Sequence, residues 1–537
     1  MGHEINADSI LALDKRIKET AAELTRLKRS RNSLLNVARI PPEILGRIFH
    51  FNDMPKAGKY YIPELRRDPY NILLVCYHWS RVARDTPELW SFWGNTLEDW
   101  RRRYPLSRTS APVDLVLSGP PHKDGPLDEI LRDVLRDRAA RDAIRKVHIA
   151  SSCADHSTAT AVVSSLTPED EGIRHSSIES IMLSRVDVSD FVARHHFQKL
   201  RDLYLNDFKI SCWDHLKSHT MALVNLKITF RNTSPPSVIP TTSQVLSLLA
   251  SNPNIRSLAL EWLAIRDDGR NDSTRPVSLP HLEQLALMGD FNHVFPILYR
   301  LELPERMDDV VLDFYHCKLA EAQETIRPYI RDYLQRDPRF ENRLGVFSSS
   351  DRYRSSLQVF TLGVGHHDPG EMPPQELPRV KFGVGMSKGL SLEEQGGWFI
   401  DTLALVPQER VVCLKVNRMV AGTERVFAEM PNIEYLHLAK IKLREGFLLS
   451  CSGSDQTLLP SLRRLRLEDV WVNDQNWDPL IAYLTHQTSG NRVLSLEVFG
   501  GGVHICSDVL DRIYELVEEM VYEPNPYKEC PSKRCIT

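Results

Sequence analysis

Three things are missing from these 537 residues, and each absence excludes a class of protein. The nine cysteines are odd in number and contain no C-x-x-C pair, so neither a disulfide framework nor a zinc site is expected. No apolar stretch approaches the roughly 18 residues of a membrane helix; Ile72 to Cys76 is a core fragment. No charge excess exists either. With 67 basic against 71 acidic residues, the net charge of −4 gives nucleic acid and anionic membranes no electrostatic reason to bind. The opening MGHEINADSI lacks an apolar secretory core, Asn6 spoils a myristoylation pattern, and Cys535 is misplaced for prenylation. The expectation is a protein of a reducing compartment, cytoplasmic or nuclear.

Signatures of catalysis are equally scarce. GVGMSKG (Gly383 to Gly389) lacks the spacing and the closing Ser/Thr of a phosphate-binding loop. The pairs His195-His196 and His366-His367 are adjacent, so their side chains diverge in helix and strand alike, and no further ligands stand at metal spacing. No G-x-S-x-G, H-E-x-x-H or kinase signature occurs. Cys76, in an apolar helical stretch, reads as core rather than nucleophile. No metal, no cofactor and no intrinsic catalysis are expected; an enzyme reading survives only through an unrecognised site in the loop 364–391.

What is present begins with a helix over 8–36. Ile10, Ile17 and Leu24 recur every seven residues, with Leu13, Leu27 and Leu34 in the second register and Thr20 and Arg31 as interruptions. Three readings stand: a short coiled coil giving weak self-association, an import patch around Lys28 to Arg31, or a seam packed on the neighbouring domain. Residues 37–100 then form an all-α module. Pro41 and Pro42 suit a helix start, and Ile44, Leu45, Ile48 and Phe49 form one apolar face. In NILLVCYHWSRVARDTPELW, Leu73, Cys76, Val82 and Ala83 share a helical face beside Trp79, and Thr86-Pro87 opens a short helix delivering Leu89 and Trp90.

These residues resemble those of the F-box proteins. Ile40 to Leu45 is similar to the family's L-P-x-E-[IL]-L, Val75-Cys76-x-x-Trp79 with Ala83 to its second half, and Thr86 to Trp90 to its closing P-x-L-W. The layout is similar to the large F-box-like families of mushroom-forming fungi. Departures are the long segment between Phe49 and Asn71 and Tyr77-His78 in place of the usual basic residue. The resemblance implies docking on a Skp-type adaptor, and through it a cullin, by Pro41, Pro42, Ile44, Leu45, Ile48, Trp79, Leu89 and Trp90, some of these serving as core.

From 110 to 520 a different pattern rules: L-x-x-L-x-L, as in Ile178/Ile181/Leu183, Leu200/Leu203/Leu205, Leu223/Leu226/Ile228 and Ile255/Leu258/Leu260. Leu282/Leu285/Leu287, Met307/Val310/Leu312, Leu357/Phe360/Leu362 and Val411/Leu414/Val416 continue it. Ile433/Leu436/Leu438, Leu462/Leu465/Leu467 and Val493/Leu496/Val498 close the series, at steps mostly of 22 to 32 residues. The fold class expected is α/β: an irregular leucine-rich-repeat solenoid of parallel strands with a helical convex layer, preceded by the all-α module. VSDFVARHHF and ERVFAEM read as convex helices. Residues 231–242 and 364–391, rich in Pro and Gly, read as surface loops, and 521–537 as a flexible tail.

Solvent-facing strand positions of such a solenoid form a continuous concave surface. Tyr204, Asn206, Lys227, Tyr435, His437, Arg464, Arg466 and Glu497 are the candidate target-binding residues; mixed charge with tyrosine suits a protein surface. Arg463, Arg464 and Arg466 form a basic cluster that would suit an acidic or phosphorylated ligand, or stand as a solvated face. The function expected from the resemblance is the non-catalytic, substrate-recognition subunit of a ubiquitin ligase binding an unknown target protein. The alternative is a repeat scaffold unconnected with ubiquitin, its helical module serving as a cap.

Overall fold

Apolar residues at every second position, in short runs separated by helices, produce a mixed α/β architecture with parallel strands. The computed structural model describes residues 7–53, 70–93, 112–117, 135, 137–149, 163–166, 174–175, 177–220, 222–230, 239–262, 265–266, 276–317, 324–325, 327–336, 344–350, 354–361, 379–386, 406–417, 427, 429–440, 442–443, 459–472, 477–488, 493–500 and 505–523. The chain divides into two units, Met1–Leu223 and Val224–Thr537.

The first unit opens with helix α1 (Ala7–Ser33), whose seam residues Ile10, Leu13, Ile17, Leu24 and Leu27 are all exposed. Helices α2 (Pro42–Asp53), α3 (Tyr70–Leu73) and α4 (Tyr77–Arg84) and a 3-10 turn over Pro87–Trp90 follow. Leu45, Phe49, Val82, Ala83, Leu89 and Trp90 close one small core, flanked by Ile40, Tyr70, Ile72, Leu73 and Trp79. Trp90 is its centre. Its indole N–H donates to the Ala83 carbonyl at 2.7 Å, and its ring lies 5.4 Å from that of Tyr70. The stretch that reads as one helix from sequence is broken: Leu74 and Val75 are exposed, and Cys76 is the N-cap of α4, its sulfur accepting from the Trp79 N–H at 3.5 Å. A residue held in extended backbone cannot continue a helix, so the break sits at Cys76.

Strands Phe92–Trp93, Val113–Leu117, Ile144–Ile149, Ser180–Ser184 and Asp202–Asn206 pair in parallel in that order. Register explains why. Leu115, Val147, Ile181 and Leu203 stand opposite one another, as do Leu117, Ile149, Leu183 and Leu205, giving two apolar rows on one face. VSDFVARHHF supplies the helix Ser189–Arg194.

In the second unit Asn225–Thr229, Ser257–Glu261, Gln284–Asp290 and Asp309–Cys317 are parallel neighbours. Val411–Asn417, Tyr435–Ala439, Arg464–Glu468, Ser495–Phe499 and Glu519–Glu523 form a second parallel run. The last strand carries the sheet into 521–523, residues read from sequence as tail; 524–537 lie outside the described residues.

Between the runs the all-parallel expectation fails. Arg379–Met386 pairs in parallel with Asp309–Cys317, and Leu344–Ser350 in parallel with Val411–Asn417. Arg354–Thr361 lies between these two strands and is antiparallel to both. The segment Arg379–Met386 belongs to the stretch read as a loop. Its sequence RVKFGVGM alternates Val380, Phe382, Val384 and Met386 with Lys381, Gly383 and Gly385, a period of two that the glycines disguised. The rest of 364–391, residues 231–238, and ERVFAEM apart from Phe427, Glu429 and Met430 lie outside the described residues.

A backbone signature repeats after the strands. Arg185, Asp207, Trp262, Lys440, Asp469 and Gly500 each follow a strand directly and all have positive φ. Arg185 N–H donates to the Asn206 carbonyl, Lys440 to Glu468, Asp469 to Phe499 and Gly500 to Glu523. Each ladder is thus extended one residue before the chain turns off the sheet. Gly500 is the position where a side chain is least tolerable: φ is +67°, and a Cβ would stand 2.7 Å from Asp469 Oδ1. Gly500→Ala is therefore expected to cost about 1 kcal/mol or more, seen as a lower urea midpoint. Trp90→Ala is expected to cost about 3–5 kcal/mol in the same measurement; an unchanged midpoint for either variant would remove the packing role assigned here.

Candidate functional site

Two surfaces collect the residues singled out by sequence. The first is the outside of the helical module. Because α2 sets apolar residues in adjacent pairs, it is two-faced: Leu45 and Phe49 are each 1% exposed, whereas Ile44 and Ile48 stand 45% and 40% exposed. Pro41 and Pro42 are exposed beside them, and Trp79 is half-buried with its ring 5.1 Å from Phe49. Leu45, Leu89 and Trp90 face inward as core. The module thus splits the sequence-derived set into a surface group and a group that shapes it. Leu74, Val75 and Tyr77 add exposed apolar side chains outside the contact set named from sequence.

A cavity of about 940 Å³ opens against the first turns of α2, lined among others by Pro42, Glu43, Gly46, Arg47, His78, Arg81, Asp85, Pro87 and Glu88. Both acidic (Glu43, Asp85, Glu88) and basic (Arg47, Arg81) side chains line it. Gly46 allows this wall to form: a Cβ there would stand 3.2 Å from Thr86 Oγ1, whose hydroxyl donates to the Val82 carbonyl at 2.7 Å.

The second surface is the open sheet face, and its positions differ between the two units. In the first, Tyr204 and Asn206 are half-buried, in register with Met182 and Ser184. His148, also in register with Met182, is 9% exposed, and burial pulls its imidazole down to about 4. Asp114 on the same sheet is flanked by Arg145 at 3.4 Å and Lys146 at 3.5 Å.

In the second unit Lys227 donates to Glu261 at 2.6 Å, across two strands. Further along, two rows of register-matched residues cross the last parallel run. Lys415, His437, Arg466 and Glu497 form one row, and Cys413, Tyr435, Arg464 and Ser495 the other. Arg466 sits at the hub: 3.3 Å from Glu497, 3.8 Å from Glu468, and 4.4 Å above the Phe499 ring. His437 is 4% exposed with Nε2 at 2.9 Å from Glu468 Oε2. Burial first, then Lys415 and Arg466, push the His437 imidazole down to about 3. The ring is therefore a neutral donor to the carboxylate, and the contact is a hydrogen bond rather than an ion pair.

Burial also lowers Lys415, against the opposing pull of Glu468. The Cys413 thiol is pushed up to about 12 by burial and stays protonated. Lys415, not singled out from sequence, was legible there as the solvent-facing residue between Leu414 and Val416.

The arrangement is a braced set of polar side chains across the last parallel run. The basic cluster read from sequence is dispersed: Arg463 is exposed on the turn before its strand, while Arg466 is engaged by two carboxylates. Buried His195 bonds the Phe191 carbonyl through Nδ1 at 3.0 Å, half-buried His196 lies beside it, and His366-His367 fall outside the described residues. Among the described residues no group of three or more His, Cys, Asp or Glu could hold a metal ion, and no helix is long and apolar enough to cross a membrane. No protein-family model matches the chain, and no curated protein matches its sequence.

His148 and His437, both buried with lowered pKa values, fix a pH dependence. Their folded pKa values, about 4 and about 3, lie below the ordinary 6.5, so between these limits the unfolded chain binds more protons. Their stabilisation is complete above about pH 6.5 and is lost as pH falls towards the folded values. The urea midpoint should drop between pH 7 and pH 5, and His148→Gln with His437→Gln should flatten that drop. An equal slope in the double variant would show the histidines to be uninvolved.

Proposed function

We propose that this chain is the substrate-recognition subunit of a Skp–cullin–F-box type ubiquitin ligase. The helical module is read as an F-box-like domain that docks on a Skp-type adaptor, and the strand units as an irregular leucine-rich-repeat solenoid that holds a target protein. One observation carries the reading. On α2, at the residues that carry the F-box resemblance, Ile44 and Ile48 are exposed while Leu45 and Phe49 fill the core. Apolar residues turned outward on a short, well-packed module favour a partner surface.

On this reading Pro41, Pro42, Ile44 and Ile48 make the contact, with Trp79 at its edge, while Leu45, Leu89 and Trp90 hold the shape. The mixed charges around the neighbouring cavity suit a protein partner with both signs on its surface. The sheet face offers half-buried Tyr204 and Asn206 in one unit and half-buried Lys227, Arg464, Arg466 and Glu497 in the other, whereas Tyr435 and His437, read from sequence as solvent-facing, are 3% and 4% exposed and lie too deep for direct contact. Half-buried Lys227, braced by Glu261, and Arg466, braced by Glu468 and Glu497, would meet a target with little ordering cost.

The mechanism is positioning. A target held on the strands, with a ubiquitin-charged enzyme brought by the cullin, reacts at a raised effective concentration, and no catalytic group is required of this chain. The setting would be cytoplasmic or nuclear.

Calorimetric titration of the full chain with a Skp-type adaptor tests the proposal. Roughly stoichiometric binding is expected, weakened at least about a hundredfold by Ile44→Glu with Ile48→Glu, while circular dichroism stays unchanged because neither side chain is core. No binding by the folded wild type would make the module a cap and the protein a repeat scaffold.

A further inference from the structure

We propose that α1 pairs in parallel with α1 of a second copy of this chain. The helix is formed over Ala7–Ser33, yet its entire apolar seam faces solvent: Ile10, Leu13, Ile17, Leu24 and Leu27 are 46–64% exposed. The side by which it touches its own module is a different one. Arg29 lies 4.4 Å above the Tyr77 ring, and in the heptad that puts Ile10, Ile17 and Leu24 at a and Leu13 and Leu27 at d, Arg29 falls at f, opposite the seam. That contact lies on the helix's back and leaves the seam outward.

Composition and charge select the occupant. Ile10 and Ile17 at a, with Leu13 and Leu27 at d, are the pattern that favours two parallel strands. Flanking residues then pair across the seam in a parallel arrangement. Glu23 at g meets Lys28 at e of the second copy, Arg16 meets Ala21, and Ser9 meets Asp14, so one pair attracts and none repels. The Glu23 carboxylate is bonded to Arg26 of its own helix at 2.7 Å, but its side chain stays 53% exposed and open to a second cation. Two positions limit the affinity. Thr20 at d contributes little apolar surface, and Arg31 at a would face its own copy, like charge against like. A reversible dimer follows rather than a permanent one.

Sedimentation equilibrium on the full chain, without adaptor, tests this separately from ligase function. The expected mass rises from one chain to two with concentration. Ile17→Asp with Leu24→Asp should hold it at one chain, and Arg31→Ile should lower the half-dimer concentration at least about tenfold. Lys28→Glu should weaken the dimer, and adding Glu23→Lys should restore it. Circular dichroism of each variant should match the wild type, because the substituted side chains are exposed. A single-chain mass for wild type and Arg31→Ile alike would overturn the proposal. So would a dimer indifferent to the aspartates, or one indifferent to Lys28→Glu, since the pairing would then lie elsewhere or run the other way.

Discussion

The second unit depends on a constraint that operates in each of its short strands. A strand such as Arg464–Glu468 presents Leu465 and Leu467 on one face, and five residues cannot bury two leucines by themselves. Burial comes from the neighbours in register: Leu436 and Leu438 on one side, Leu496 and Val498 on the other, all essentially inaccessible. Slipping the register by one residue would turn both leucines to solvent and drive Arg466 inward. The alternation therefore fixes the pairing, and the pairing fixes which residues share the open face. Positive φ at Lys440, Asp469 and Gly500 ends each strand at the same point, so the rows remain aligned.

Much of this was legible in sequence because the two periodicities are simple. L-x-x-L-x-L marks the strands, and its first apolar residue marks the turn before them; Leu200, Ile255, Leu282, Ile433 and Leu462 are buried at such turns. Where the structure departs from that reading, the reason is local. RVKFGVGM was hidden by glycines and a proline-rich flank, and antiparallel pairing at Arg354–Thr361 leaves no trace in the two-residue alternation of a strand, which is the same read in either direction. The α3–α4 break was hidden because Leu74, Val75 and Cys76 are as apolar as the helices around them; only the backbone of Cys76 shows the cap.

The candidate surfaces were legible in a different measure. Motif residues Ile44, Leu45 and Ile48 are adjacent in sequence and indistinguishable by composition, yet Leu45 is core and its neighbours are surface. That division needs the helix phase and the position of Trp90. On the sheet face sequence names the residues that share it, but neither their braces nor the burial of Tyr435 and His437. The role of Glu468, which receives His437 and stands near Arg466, depends on strands some thirty residues apart in the chain being in register. The same register brings Arg466 of the arginine cluster between Glu468 and Glu497.

On the proposed reading, a module with a packed inner face and an apolar outer edge would dock on the adaptor, and the strands with their braced polar face would capture the target. Hydrogen–deuterium exchange of the full chain, alone and saturated with a Skp-type adaptor, tests that division most directly. The account predicts slowed exchange in the amides of α2 and the 3-10 turn Pro87–Trp90, with the strands of the second unit unchanged. Slowed exchange centred on those strands, with α2 unaffected, would contradict it.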